Sequence, residues 1–111
     1  MNKIEINLTV EKEITTVIEK EYSFQYNVDD LYPFFKKSLK EAQEANMLGL
    51  IEQKYIFEDA LENRITKYIE NDKKSEFPTI SNIWFDFDYF VIQLFPICTQ
   101  EEKNKLKEYG Y

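Results

Sequence analysis

"IEINLTVEKEITTVIEKEYSFQY", residues 4–26, alternates apolar and polar side chains almost without a break. Ile4, Ile6, Leu8, Val10, Ile14, Thr16, Ile18, Tyr22, Phe24 and Tyr26 hold even positions. Glu5, Asn7, Thr9, Glu11, Glu13, Thr15, Glu19, Glu21, Ser23 and Gln25 hold odd ones. Period two in β-branched and aromatic residues signals a half-buried strand. The run is too long for one ordinary strand, so it predicts a hairpin. If both arms turn even residues inward, paired positions differ by an even number and the loop holds an odd number of residues. Glu11-Lys12-Glu13 and Glu19-Lys20-Glu21 are the two candidate turns.

After Tyr26 the period changes. Leu31, Phe35, Leu39, Ala42, Ala45 and Leu48 follow a helical stripe, with Asp29 or Asp30 as cap and Pro33 in the first turn. Gly49 followed by Leu50 reads as a Schellman stop. Phe57, Leu61, Ile65, Tyr68 and Ile69 mark a second helix over about 53–71, antiparallel to the first. Residues 80–95 return to strand composition and Pro96 closes them. Thr99 with Glu102 is a capping box opening a last helix. The expected architecture is α+β, a single domain over 1–111. An antiparallel sheet of three or four strands packs against an αα-hairpin, in the order ββ-αα-β(β)-α.

Two aspartates interrupt the most aromatic stretch, "IWFDFDYFVIQLFP", residues 83–96. As one strand, it would place Trp84, Asp86 and Asp88 on the wet face. As a hairpin, it would make the aspartates turn formers. Both readings keep charge out of the core.

Composition narrows the chemistry. The chain has no histidine, which removes the commonest general base near neutral pH and both Ser-His-Asp and Cys-His catalysis. Cys98 is the sole cysteine and reads as a small buried apolar residue. Gly49 and Gly110 are the only glycines, so no P-loop or dinucleotide fingerprint exists. Asp-x-Asp at 86–88 could begin a Mg²⁺ or Ca²⁺ site, but no EF-hand loop surrounds it. No cofactor and no metal are expected. The opening MNKIEINLTVEKE carries no signal-peptide pattern, and the longest apolar run is about half the roughly 20 residues of a membrane span. The expected location is the cytoplasm.

The formal net charge is −7. Residues 1–30 carry net −4, residues 31–75 net zero and residues 76–111 net −3, so the strand-bearing ends supply the whole surplus. Glu5, Glu11, Glu13, Glu19 and Glu21 share one parity and are expected to project from one sheet face, at roughly 6.8 Å intervals along a strand. That spacing has the scale of a phosphate backbone. A solvated face would ordinarily mix in lysine, because like charges directly opposite each other are destabilising. Such a chain repels nucleic acid and attracts basic surfaces. Tryptophan and tyrosine beside acids compose a hot spot for a basic partner. Arg64, the sole arginine, is expected to pair on its own helix.

A short, acidic, aromatic-rich chain without catalytic motifs resembles in composition the phage- and plasmid-encoded inhibitors of host defence, including anti-restriction and anti-CRISPR proteins, some of which mimic DNA. The resemblance implies a non-catalytic inhibitor of a basic, nucleic-acid-handling protein, using Glu5, Glu11, Glu13, Glu19, Glu21, Trp84, Asp86 and Asp88. Alternatives are an immunity protein or antitoxin against a cationic nuclease toxin, a small metal-dependent carboxylate enzyme, and a subunit that assembles through the αα-hairpin.

Overall fold

Alternating apolar residues form the two strands they predict. The structure, a computed structural model, describes residues 3–13, 17–77 and 79–111; the side chains of residues 12, 13, 17 and 18 lie outside that description. Strands β1 (Lys3–Glu13) and β2 (Val17–Asn27) pair antiparallel from Lys3↔Asn27 to Glu13↔Val17. Every pair differs by an even number, as parity requires. Both EKE segments are strand, not turn. The link 14–16, with the expected inward Ile14 and Thr16, lies outside the described residues.

Strand β3 (Ile80–Phe85) adds to the other edge of β1, giving a three-stranded antiparallel sheet in the order β2-β1-β3. The register shifts at Thr9/Val10, where Asn82 and Ile80 face successive β1 residues and the Ser81 hydroxyl donates to the Thr9 carbonyl at 3.1 Å. Such a bulge bends the strand locally.

Helices cover the even-numbered face. Helix α1 (Val28–Glu44) begins directly after β2 and α2 (Leu50–Lys73) packs against it. The α2 core line is Gln53, Phe57, Leu61, Ile65 and Ile69, one residue in four. Ile4, Ile6 and Leu8 join Leu31, Phe35, Phe57, Leu61 and Ile65 in one buried cluster. Burying each large aliphatic or aromatic side chain is worth about 1.5–3 kcal/mol.

Several expectations need correction. Helix α1 starts before Asp29, with Asn27 at the cap position, so Pro33 lies within the helix and the aspartates occupy its first turn. The helix also ends at Glu44, and Gly49 does not stop it: at φ −64° and ψ 165° it is extended and caps α2. Helix α1 closes on its own backbone, the Ala45 amide donating to the Ala42 carbonyl at 3.3 Å, and the Gln53 side-chain amide holds the turn that follows, donating to the carbonyls of Ala45 at 3.3 Å and Leu48 at 3.2 Å. A tightened backbone bond of this kind satisfies an open carbonyl at a helix end without a left-handed glycine.

The aromatic stretch is neither a long strand nor a hairpin. It breaks at Asp86 into β3 and helix α3 (Phe87–Leu94), followed by a 3₁₀ turn (Phe95–Ile97) and helix α4 (Gln100–Glu108). Phe90, Val91 and Leu94 are buried, a spacing of mixed parity that only a helix can turn to one side. Thr99 and Glu102 form the expected capping box. Among the described residues, no helix is long and apolar enough to cross a membrane.

Candidate functional site

The sheet presents its odd β1 and β2 residues away from the helices. Glu5, Glu19, Glu21, Ser23 and Gln25 are exposed and Asn7, Thr9 and Glu11 half-buried, while Ile4, Ile6, Leu8 and Val10 behind them are buried. Backbone register sets this face in rows. Glu5 lies opposite Gln25. Asn7 stands between Ser23 and Trp84. Thr9 stands between Glu21 and Asn82. Glu11 lies directly opposite Glu19. Opposite Cβ atoms in an antiparallel pair are about 4.5–5.5 Å apart. Glu11, Glu19 and Glu21 thus form a compact acidic group at one end of the face.

Serine and asparagine hold the middle, where the Ser23 hydroxyl donates to Asn7 Oδ1 at 2.6 Å. Trp84 adjoins them and is 40% exposed. At the other end Lys3, Glu5, Asn7, Gln25, Asp86 and Tyr89 line a shallow depression. The face therefore runs from a carboxylate cluster, across a polar centre with an aromatic flank, to a mixed hollow.

Asp86 occupies a position that the strand and turn readings miss. It is the N-cap of α3, accepting a hydrogen bond from the Tyr89 amide at 3.0 Å. Its carboxylate complements the positive end of the helix dipole while remaining exposed beside Glu5. Asp88 is in the first turn of the same helix and its charge acts on the phenol of Tyr111. The structure does not bring it into the depression where Glu5 and Asp86 meet. Glu13 belongs to β1 by backbone pairing, and its side chain lies outside the described set.

Sequence reasoning missed Tyr89, which joins the face because α3 is a helix and its first turn stands beside β1. The signal was an aspartate three residues ahead of a free amide at an apolar run.

Among the described residues the face carries Lys3 as its cation, in the hollow beside Glu5 and Asp86. Among the described residues none of Glu5, Glu11, Glu19, Glu21 or Asp86 enters an ion pair. Lys20 is exposed on β2 but has the opposite parity, across from Val10.

The helical layer treats its acids differently. Arg64 reaches across to Glu41 of α1, not along its own helix, and donates to Ser38 Oγ at 2.8 Å. Glu102, 9% exposed, accepts from the Tyr32 hydroxyl and from the Thr99 amide at 2.7 Å. Burial, followed by the Glu102 hydrogen bond, holds the Tyr32 phenol above its ordinary range. Burial likewise pushes the Cys98 thiol up to about 11, which keeps it protonated and unreactive near neutral pH. Among the described residues, no group of three metal-ligating side chains is placed to hold an ion.

No family model, no curated protein and no solved structure matches this chain.

Proposed function

We propose that this chain is a non-catalytic binding protein that sets its acidic sheet face against the basic surface of a nucleic-acid-handling protein and blocks it. The observation that carries the reading is the facing pair Glu11 and Glu19 with Glu21 beside them, carboxylates that no described lysine or arginine pairs. Like charges at that separation cost stability. An arrangement that weakens the fold gains a reason if an external cation relieves it. Trp84 and Tyr89 supply large, rigid apolar area within the same face, as anchors of interfaces do. Spaced carboxylates on a twisted sheet offer a lysine- or arginine-lined groove what a phosphate backbone offers it.

The test is affinity capture from host lysate at low and high salt, comparing wild type with the Glu11→Gln/Glu19→Gln/Glu21→Gln variant. The reading predicts recovery of a basic nucleic-acid-binding protein by wild type, loss at high salt, and loss by the triple variant at either salt. Identical capture by wild type and variant would remove the face from the function. Inhibition of the captured protein's own nucleic-acid activity then separates a blocker from a passive ligand.

A further inference from the structure

The α1–α2 turn and the start of α2 carry apolar side chains that the core does not use. Met47 is 97% exposed, Ile51 68% and Tyr55 67%, with Leu48 and Leu50 close to half exposed. The cause is geometric. The buried line of α2 passes through Gln53, Phe57 and Leu61, so Ile51 and Tyr55, one turn apart, fall on the opposite side of the helix. Leu48 loses the place its stripe predicts because α1 has already ended at Glu44. Further along the same outer side, the character changes to acid. Tyr55 and Ile56 floor a shallow groove walled by Glu58, Asp59 and Glu62.

Charge selects what fits this stripe. Lys54, at its border, is engaged by Glu58 at 3.7 Å and lies 5.0 Å from the centre of the Tyr111 ring. A second copy of the chain fits poorly. Antiparallel pairing about Tyr55 lays Asp59 and Glu62 over the copy's apolar end, and parallel pairing sets acid against acid. An anionic membrane repels the acidic half. A helix with an apolar face followed by lysine or arginine satisfies both halves. Its apolar residues cover Ile51 and Tyr55, and its cationic stems cross Tyr55 and Ile56 with their heads at Asp59 and Glu62.

We infer that the outer stripe of α2 from Ile51 to Glu62, with Met47 and Leu48 at its apolar end, docks a basic amphipathic helix of a partner protein. The stripe shares no residue with the sheet face, so it stands or falls separately from the function proposed above.

The experiment is fluorescence anisotropy of a labelled leucine/lysine model helix against the full chain. Oligolysine and a leucine/glutamate helix serve as peptide controls. Sedimentation of the chain alone and flotation with neutral and anionic phosphatidylcholine-based vesicles complete the set. The expected result is saturable binding of the leucine/lysine helix only. It weakens by about tenfold or more in Ile51→Ser/Tyr55→Ser, by about threefold in Asp59→Asn/Glu62→Gln, and is unchanged in Glu19→Gln/Glu21→Gln. Circular dichroism confirms that these exposed substitutions leave the fold intact. Several results would overturn the inference: equal binding of oligolysine, no binding of the leucine/lysine helix, or loss of binding in the sheet variant instead of the α2 variants. A dimer abolished by Ile51→Ser would make a second copy the occupant, and flotation with vesicles would make it a lipid surface.

Discussion

Acidic residues in the helical layer and acidic residues on the sheet live under different rules. Glu41 pairs with Arg64, Glu58 meets Lys54 and the Tyr111 hydroxyl, and Asp72 meets Lys73 and accepts from the Tyr26 hydroxyl at 3.0 Å. Glu102 is a structural centre, joined to α1 through Tyr32 and to the start of α4 through Thr99. On the sheet, Glu11 faces Glu19 and neither meets a described cation. In the first region these four carboxylates hold the fold together. In the second the fold tolerates them. The difference teaches that carboxylates which the architecture does not use are where an external role should be sought, and each region can be broken separately.

The largest expected effect belongs to the helical layer. Glu102→Ala removes an acceptor shared by the half-buried Tyr32 phenol and a cap amide, together with half of the capping box. A hydrogen bond to a charged group is worth about 1.5–3 kcal/mol and a lost cap costs about 1. The substitution is expected to destabilise by about 2–4 kcal/mol in urea unfolding, while Glu102→Gln, which keeps an acceptor oxygen, loses less than half of that. Equal losses would mean that the negative charge, and not the hydrogen bonds, is what matters there.

Next comes a loss of stability at high pH. Burial, then the Glu108 charge, raises the Tyr109 phenol from 10.0 to about 12, and Tyr109 is only 5% exposed. Burial and the carboxylates Asp72, Glu102 and Glu58 hold Tyr26, Tyr32 and Tyr111 higher still. The folded form keeps these protons where the unfolded chain has released them. Their stabilising effect is therefore complete below about pH 10 and declines above it, that of Tyr109 being lost as pH rises through about 12 and that of the others at higher pH still. Tyr109 alone accounts for a decline on the order of 2 kcal/mol across that window. Thermal melts at stepped pH, with phenolate absorbance followed in parallel, check it. Tyr109→Phe is expected to flatten the decline, and it also removes a hydroxyl that is buried without a described partner.

A smaller effect tests the hinge between the two regions. Asp86 is both the cap of α3 and part of the depression beside Glu5. Asp86→Ala is expected to cost about 1 kcal/mol, and Asp86→Ser to recover most of it, because a hydroxyl also accepts from the Tyr89 amide. If partner binding instead needs the charge, Asp86→Ser remains stable and binds weakly.

Much of this arrangement was legible in the residues. Alternation in 4–26 placed Ile4, Ile6 and Leu8 inside and Glu5, Glu19 and Glu21 outside, because a face choice made anywhere on a strand propagates by parity. The Thr99–Glu102 box was legible because both partners lie within one turn. Helix α3 was not. Eight largely apolar residues fit a buried strand and a buried helix equally, and the decision came from tertiary placement of Phe90, Val91 and Leu94 against the core. Gly49 misled for a related reason: the turn after α1 is held by a side chain eight residues beyond Ala45, which no local rule anticipates. The site inherited the same limits. Parity located the glutamates, but bringing Tyr89 and Asp86 to the hollow beside Glu5 required knowing that β3 pairs with β1 and that a helix follows it at once.

The smallest effect bears most directly on the contrast. Because Glu11 and Glu19 face each other across β1 and β2 with no described cation between them, replacing either one with glutamine removes repulsion without altering shape. Glu11→Gln is expected to stabilise the chain by about 0.2–1 kcal/mol, and Glu19→Gln by a similar amount. Once one of the pair is neutral there is little repulsion left to relieve, so the double variant should gain less than the two singles combined. Raising salt should stabilise wild type more than either variant, since screening and substitution remove the same repulsion. Glu41→Gln, applied to a paired carboxylate of the helical layer, is expected to move stability the opposite way by a comparable amount, because Arg64 then loses its charged partner. Opposite signs at Glu11 and Glu41 under one chemical change would show that this protein keeps some acids for its own fold and holds others in reserve. Matching signs would place the sheet glutamates among the residues that stabilise it.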